Sequence, residues 1–144
     1  MPTQISTKTD SELADRRFQK RDAKNYLELF QTEAFLKYCY RVPVKTSKEV
    51  KRWCKNGFYT VETGREVFIG YYSLTPVSKC VATFGLCIIP EAMDQGYGSH
   101  ILDMIEHRAG QLGYLNLRPD IFEDNPFVDT LINHGYRKYV LLEK

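Results

Sequence analysis

The segment VATFGLCIIPEAMDQGYGSHILDMIEHRAGQLG, Val81 to Gly113, constrains the fold more than any other stretch of the chain. Val81–Ile89 is a nearly continuous apolar run containing β-branched residues, which predicts a buried strand. Pro90 has no N–H to donate and ends any ladder. A loop, Glu91–Gln95, follows, and Gly96-Tyr97-Gly98-Ser99 opens a helix. Ile101, Ile105, Ala109 and Leu112 recur at helical spacing with Leu102 beside them, and Gly113 supplies the C-terminal stop.

A strand that feeds a glycine-rich turn at the start of a helix makes an anion site. The first helical N–H groups have no intrahelical partner, and the helix dipole adds partial positive charge there. Glycine lets a phosphate approach the backbone without a Cβ in the way. Two glycines before a helix are also ordinary turn punctuation, so both readings stand at this point. Spacing excludes two nucleotide loops: there is no G-x-x-x-x-G-K-[ST], and G-x-G-x-x-G would need glycine where Ile101 stands.

The run PEAMDQGYGSHIL resembles the acyl-CoA signature of the GNAT acetyltransferases, a strand, then P-E-x-[RQ]-x-x-G-x-[GA], then a helix. The resemblance implies the GNAT acyl-CoA N-acyltransferase fold, of α/β (α+β) class, with a mixed, mainly antiparallel sheet flanked by helices. It implies acetyl-CoA as co-substrate. It places the pyrophosphate on the loop Met93, Asp94, Gln95, Gly96, Tyr97, Gly98 and Ser99, and the pantetheine arm along Leu86, Cys87 and Ile88. Met93 stands where the family motif has Arg or Gln, and Asp94 adds a negative charge beside the expected pyrophosphate.

Other parts of the chain carry the same likeness. The early segment RRFQKRDAKNYLELFQTEAFLKYCY resembles the opening of the ribosomal-protein N-terminal acetyltransferase branch, and NPFVDTLINHGY resembles the family's N-x-x-[AS] ending. Asn125 matches that asparagine with a one-residue deletion, and Asp124 takes its place without one. Relatives finish with two strands, whereas the chain has residues here for one, Tyr136–Leu142, so a shortened C-terminal strand region is expected.

With 144 residues, 43% of them apolar, the chain has material for one core, and a single domain is expected over residues 12–144 after a disordered segment 1–11. A net charge of +2 does not demand a polyanionic partner. No apolar run reaches membrane-spanning length, and MPTQISTKTD lacks the apolar core of a signal peptide, so no membrane contact is expected. The cysteines at 39, 54, 80 and 87 show no C-x-x-C pairing and read as reduced thiols of a cytoplasmic protein.

Taken in order, Ala14–Gln19 predicts a strand. Asp22 is expected to cap a helix carrying Tyr26, Leu27 and Phe30, and Thr32 breaks it from a second helix over Ala34–Tyr40. Thr46-Ser47-Lys48-Glu49 has the form of a capping box before Val50, Trp53 and Cys54, with Gly57 as the stop. Phe58–Glu62 and Val67–Leu74 predict a hairpin through Thr63-Gly64-Arg65. Tyr114–Phe122 predicts a further strand, with Pro119 marking an edge or a break, and Pro126–Asn133 a short helix.

Acyl transfer from a thioester to an amine needs a neutral amine, a polarised carbonyl and close positioning, which alone supplies about 7–11 kcal/mol of the barrier. A backbone N–H of Cys87 or Ile88 is the expected oxyanion donor. The family's glutamate and tyrosine positions align with Thr83 and Leu131, which carry no proton chemistry, so the acid and base are not fixed by the sequence. The candidates are Glu62, Tyr72, Glu91 and Tyr136, with Tyr71 and Ser73 beside them; each also reads as packing. Cys87 reads either as a nucleophile, for which no partner base is evident, or as a small core residue.

His100 and His107 share a helix face but lack a third ligand, and no metal is expected. Lys45, Lys48, Lys51, Arg52 and Lys55 surround Trp53, with Arg16, Arg17, Lys20, Arg21 and Lys24 upstream. This cluster reads as the wet side of a helix whose Trp53 is core, or as a surface for an acidic acceptor or nucleic acid. The leading expectation is an acetyl-CoA-dependent N-acetyltransferase acting on an amine of a protein or small molecule. The alternatives are a non-catalytic interaction or structural protein of the same fold, or a nucleic-acid-modifying transferase. The open C-terminal edge suggests a homodimer.

Overall fold

The computed structural model describes residues 12–38, 44–121 and 124–137. Five strands form one sheet in sequence order: β1 Leu13–Arg17, β2 Phe58–Thr63, β3 Phe68–Pro76, β4 Val81–Ile88 and β5 Asn116–Pro119. The first four are antiparallel neighbours, and β5 runs parallel to β4. Helices α1 Ala23–Phe30, α2 Glu33–Tyr38 and α3 Ser47–Trp53 precede β2; α4 Tyr97–Gln111 lies between β4 and β5, and α5 Val128–Asn133 follows.

The sheet buries both faces, as the period-two alternation of side chains requires. On one face Tyr59, Val61, Tyr72, Leu74, Ala82 and Phe84 pack with Ile101, Leu102, Ile105 and Ala109 of α4. On the other, Tyr71 and Cys87 pack with Tyr26, Phe30, Phe35, Val50 and Cys54 from the three early helices. Each fully buried Ile, Leu or Phe here contributes about 1.5–3 kcal/mol of transfer free energy. Burial pushes the Cys54 thiol up to about 12, which makes it a packing group.

Local chemistry explains the helix ends, with some departures from expectation. Thr46 Oγ1 accepts the Glu49 N–H at 3.2 Å, and the Glu49 carboxylate accepts from the Thr46 hydroxyl at 3.1 Å and from the Lys45 N–H at 3.2 Å in place of the Thr46 N–H. Thr32 separates α1 from α2 and its Oγ1 accepts the Phe35 N–H at 3.2 Å. Asp22 does not cap α1 with its side chain. Its carboxylate turns back to the Gln19 N–H and to both terminal nitrogens of Arg16, each 2.8 Å away.

That pair sits in the second core with Thr60, which donates to Asp22 at 3.1 Å, and Tyr26, whose hydroxyl is 2.8 Å from Thr60 Oγ1. A buried charge of this kind is tolerated because its lone pairs are occupied. Burial raises the Asp22 carboxyl, but Arg16, the Gln19 N–H and Thr60 outweigh it and hold it below the ordinary carboxylate range.

Three expectations need correction. Leu112 lies past the end of α4 and is 49% exposed, because Gln111 is the last helical residue. Strand β5 spans four residues, not Tyr114–Phe122, ending at Pro119, which has no N–H for further pairing. Trp53 is not core: it is 39% exposed, with its ring 5.0 Å from Phe30 and 5.5 Å from Phe58. The segment 1–11, Cys39 and Tyr40, and most of the expected strand Tyr136–Leu142 with its dimer edge lie outside the described residues.

Candidate active site at the fork between β4 and β5

Strands β4 and β5 pair over Val81–Phe84 and Asn116–Pro119, and the Asp120 N–H donates to Phe84 O at 2.7 Å. Beyond that bond the register with β5 ends while β4 continues to Ile88. A cleft of about 300 Å³ opens there. Leu86, Cys87 and Ile88 form one wall, and Met93, Asp94, Gly96, Tyr97, Gly98 and Ser99 form another. Asn125, Pro126, Phe127 and Thr130 from the α5 side, with Ala34 and Tyr38 of α2, complete it.

The backbone of β4 is polarised towards this cleft. Phe84 O faces β5, whereas the Ile89 N–H faces β3, donating to Ile69 O at 2.8 Å. Backbone groups alternate sides along a strand, so Leu86 and Ile88 direct theirs to the fork and Cys87 directs its own towards Tyr71, its partner on β3. Of the two expected donors, Ile88 directs its N–H to the fork and Cys87 does not. The Cys87 side chain is buried with Tyr71 in the aromatic core.

The second wall is a helix start. A 3₁₀ turn over Pro90–Ala92 leads into Asp94 at φ 62° and Gly96 at φ 80°, and no side chain caps α4. The N–H groups of its first turn thus face solvent space or a ligand. At Gly98 a Cβ would lie 2.6 Å from Cε1 of Phe127, so the close approach of that ring requires glycine as placed. An uncapped 15-residue helix opening on a cleft fits an anion such as a pyrophosphate.

Ten of the eleven residues assigned to the co-substrate line this one cleft; Gln95 does not, and its amide donates to Glu91 O at 2.9 Å, folding the loop. Asn125 lines it with its amide already used, accepting from the Phe127 N–H at 2.9 Å and donating to Tyr38 O at 3.3 Å. Tyr38 and Phe127 border it in ways that sequence spacing could not show, since α2 and the loop before α5 arrive there only through tertiary packing.

The four candidates for acid or base are not on this cleft. Glu62 pairs with Arg16 at 3.0 Å, and Glu91 stands exposed on the 3₁₀ turn. Tyr72 is fully buried, donates to Asp15 and accepts from Arg108 Nε at 3.2 Å; burial, then Asp15, push its phenol above the ordinary value. Tyr136 donates to Glu106 at 2.9 Å, and burial followed by that carboxylate raises it too. These contacts give Glu62, Tyr72 and Tyr136 partners within the fold. Tyr71 and Ser73 line a second cleft, of about 100 Å³, with Trp53, Phe58, Thr75, Thr83 and Asp120. Leu86 and Ile121 belong to both clefts, so the two meet at the fork.

His100 and His107 are exposed on α4, as a solvated face requires. Among the described residues one trio, Asp103, Glu106 and His134, brings ligand atoms within 4.8 Å of one another; His134 Nε2 is 3.1 Å from Asp103, bridging α4 to α5. No described helix is long and apolar enough to cross a membrane.

A fork between parallel β4 and β5 facing a helix start is the arrangement of the GNAT acetyltransferases. The model of the GNAT acetyltransferase domain matches residues 13–131, and the chain belongs to that family. No curated protein matches its sequence. Among solved structures it resembles a protein provisionally assigned as a phosphinothricin N-acetyltransferase, with TM-score 0.78 and 19% identity over 90% of this chain and 86% of that one. It also resembles the spermidine N-acetyltransferase of Vibrio cholerae in complex with CoA and spermine, with TM-score 0.76 and 18% identity over 86% of this chain and 79% of that one. A GNAT-family acetyltransferase from Bacillus anthracis gives 0.74 and 15%, over 90% and 82%. At these identities the likeness shows the fold alone.

Proposed function

We propose that the protein is an acetyl-CoA-dependent N-acetyltransferase whose acceptor is a small amine. The observation that carries this reading is the convergence of the uncapped α4 N-terminus and the fork-facing backbone of β4 beyond the end of its register with β5 on one cleft. The N–H groups of Gly96 to Ser99 would hold the pyrophosphate, and β4 the pantetheine arm. Acetyl-CoA supplies an activated acetyl group: the neutral amine forms the C–N bond, the C–S bond breaks, and the amine proton leaves to solvent or a nearby base. The Ile88 N–H stands to stabilise the developing oxyanion, a contribution worth about 10²–10³ in rate. Tyr38 and Tyr97 are the phenols on the cleft from which the leaving thiolate would take its proton.

Two of the resembled proteins are assigned to amines, spermidine and phosphinothricin, which supports a small acceptor. The free thiols Cys54, Cys80 and Cys87 support a reducing, cytoplasmic setting. A second reading, a CoA-binding relative without turnover, is favoured by Thr83 and Leu131 at the family's acid–base positions. Calorimetry with acetyl-CoA, followed by CoA-thiol release with a panel of amines, separates them. Binding with release supports the enzyme, and binding without release supports the second reading.

A further inference from the structure

Resting on the acetyl-transfer reading, we propose that the Trp53 cleft selects acceptors that carry an anionic group besides the reacting amine, and rejects polyamines. Three observations converge. Among the described residues lining the cleft, Asp120 is the one acid, and it directly precedes Ile121, which belongs to both clefts. Its N–H is fixed on Phe84 O at 2.7 Å, so the residue is held at the mouth of the fork, where an ammonium must arrive before it meets the thioester. A carboxylate there binds an alkylammonium, and the aromatic walls of Trp53 and Phe58 favour the same cation.

The helix beside the cleft carries the opposite sign on its exposed face. Helix α3, seven residues and about 10 Å long, presents Trp53 to the cleft and exposes Lys48, Lys51 and Arg52, with Lys45 just before it and Lys55 just after. Glu49, the acid on this helix, is spent at the cap, accepting from the Lys45 N–H and Thr46 Oγ1. These cations lie within about one to two Debye lengths of the cleft at physiological salt. An amine with a second positive charge meets like charge on approach, whereas an amine with a carboxylate or phosphinate is drawn by the field of these cations.

A matched set tests this: 4-aminobutyrate, butylamine and 1,4-diaminobutane share a chain length and differ in the charge at the far end. The expected order of kcat/KM is 4-aminobutyrate first and the diamine last, by roughly tenfold or more between extremes, with the spread shrinking as salt rises. A Lys51→Glu, Arg52→Glu double variant should narrow or invert the order, and Asp120→Asn should weaken all three while leaving acetyl-CoA affinity unchanged. Trp53 is the one tryptophan of the chain, so its fluorescence reports acceptor binding independently of turnover. Normal acetyl-CoA binding with the diamine preferred, or with no acceptor perturbing Trp53, overturns the acceptor assignment. Absence of acetyl-CoA binding overturns the underlying reading instead.

Discussion

The Phe127 ring lies so close to Gly98 that a Cβ there would stand 2.6 Å from Cε1. The loop before α5 and the first turn of α4 therefore define one edge of the cleft together. Gly98→Glu must displace the ring and put a negative charge at the uncapped helix start, where an anion is expected. CoA affinity should fall by roughly a hundredfold, while the variant still melts cooperatively, since the ring swings outward into the cleft. Calorimetry with CoA and a thermal melt check both halves.

Met93 is 37% exposed, and Asp94 holds φ 62°, beside the same helix start. Met93→Arg should tighten CoA binding about twofold to tenfold by adding a charge-assisted contact at an exposed site. Asp94→Gly removes a repulsive charge and a left-handed non-glycine residue, so both affinity and stability should rise, stability by about 0.5–1 kcal/mol. Parallel titrations and urea melts measure these; weaker binding in Met93→Arg would move the pyrophosphate elsewhere.

Asp22 links β1, α1 and β2 through Arg16 and Thr60. Its carboxyl is held below the ordinary value, so its contribution to stability is full above the unfolded carboxylate pKa and is lost as pH falls through the folded one. Arg16, raised further, stays charged throughout and adds no slope. Asp22→Asn should cost about 2–3 kcal/mol at neutral pH, the usual loss for a hydrogen bond to a charged group, and flatten the acid limb of stability. Urea unfolding from neutral pH down through the ordinary carboxylate range and below it provides the comparison.

Conservative changes at Glu62, Tyr72 and Tyr136 should affect stability more than rate. Tyr72→Phe removes two hydrogen bonds to Asp15 and Arg108 and should cost about 1–3 kcal/mol, yet leave kcat within about threefold. Glu62→Gln and Tyr136→Phe should behave alike, with smaller losses at their more exposed pairs. A folded variant among these that binds acetyl-CoA normally but does not turn over would restore a catalytic role to that residue.

What was legible in the sequence was local. Pro90 stopping β4, Gly96 opening α4, Thr46 capping α3 and the apolar register of Ile101, Ile105 and Ala109 depend on residues within a turn or two, and each is found as expected. The cleft walls on β4 and the glycine turn followed from the family likeness. Tyr38 and Phe127 reach the site across long sequence separations, and the exposure of Trp53 depends on how α3 seats against Phe30 and Phe58. The side to which Ile88 and Cys87 turn their backbone depends on the register with β3. No one-dimensional pattern carries that information.

The most direct test of the central claim is amide chemical-shift mapping of the isotope-labelled protein titrated with CoA. The account predicts saturable shifts at Gly96, Tyr97, Gly98 and Ser99 and at the fork-facing amides of Leu86 and Ile88, with the Cys87 amide, turned to β3, moving far less. Saturation that leaves the α4 start and β4 unshifted, or no saturation at all, would contradict it.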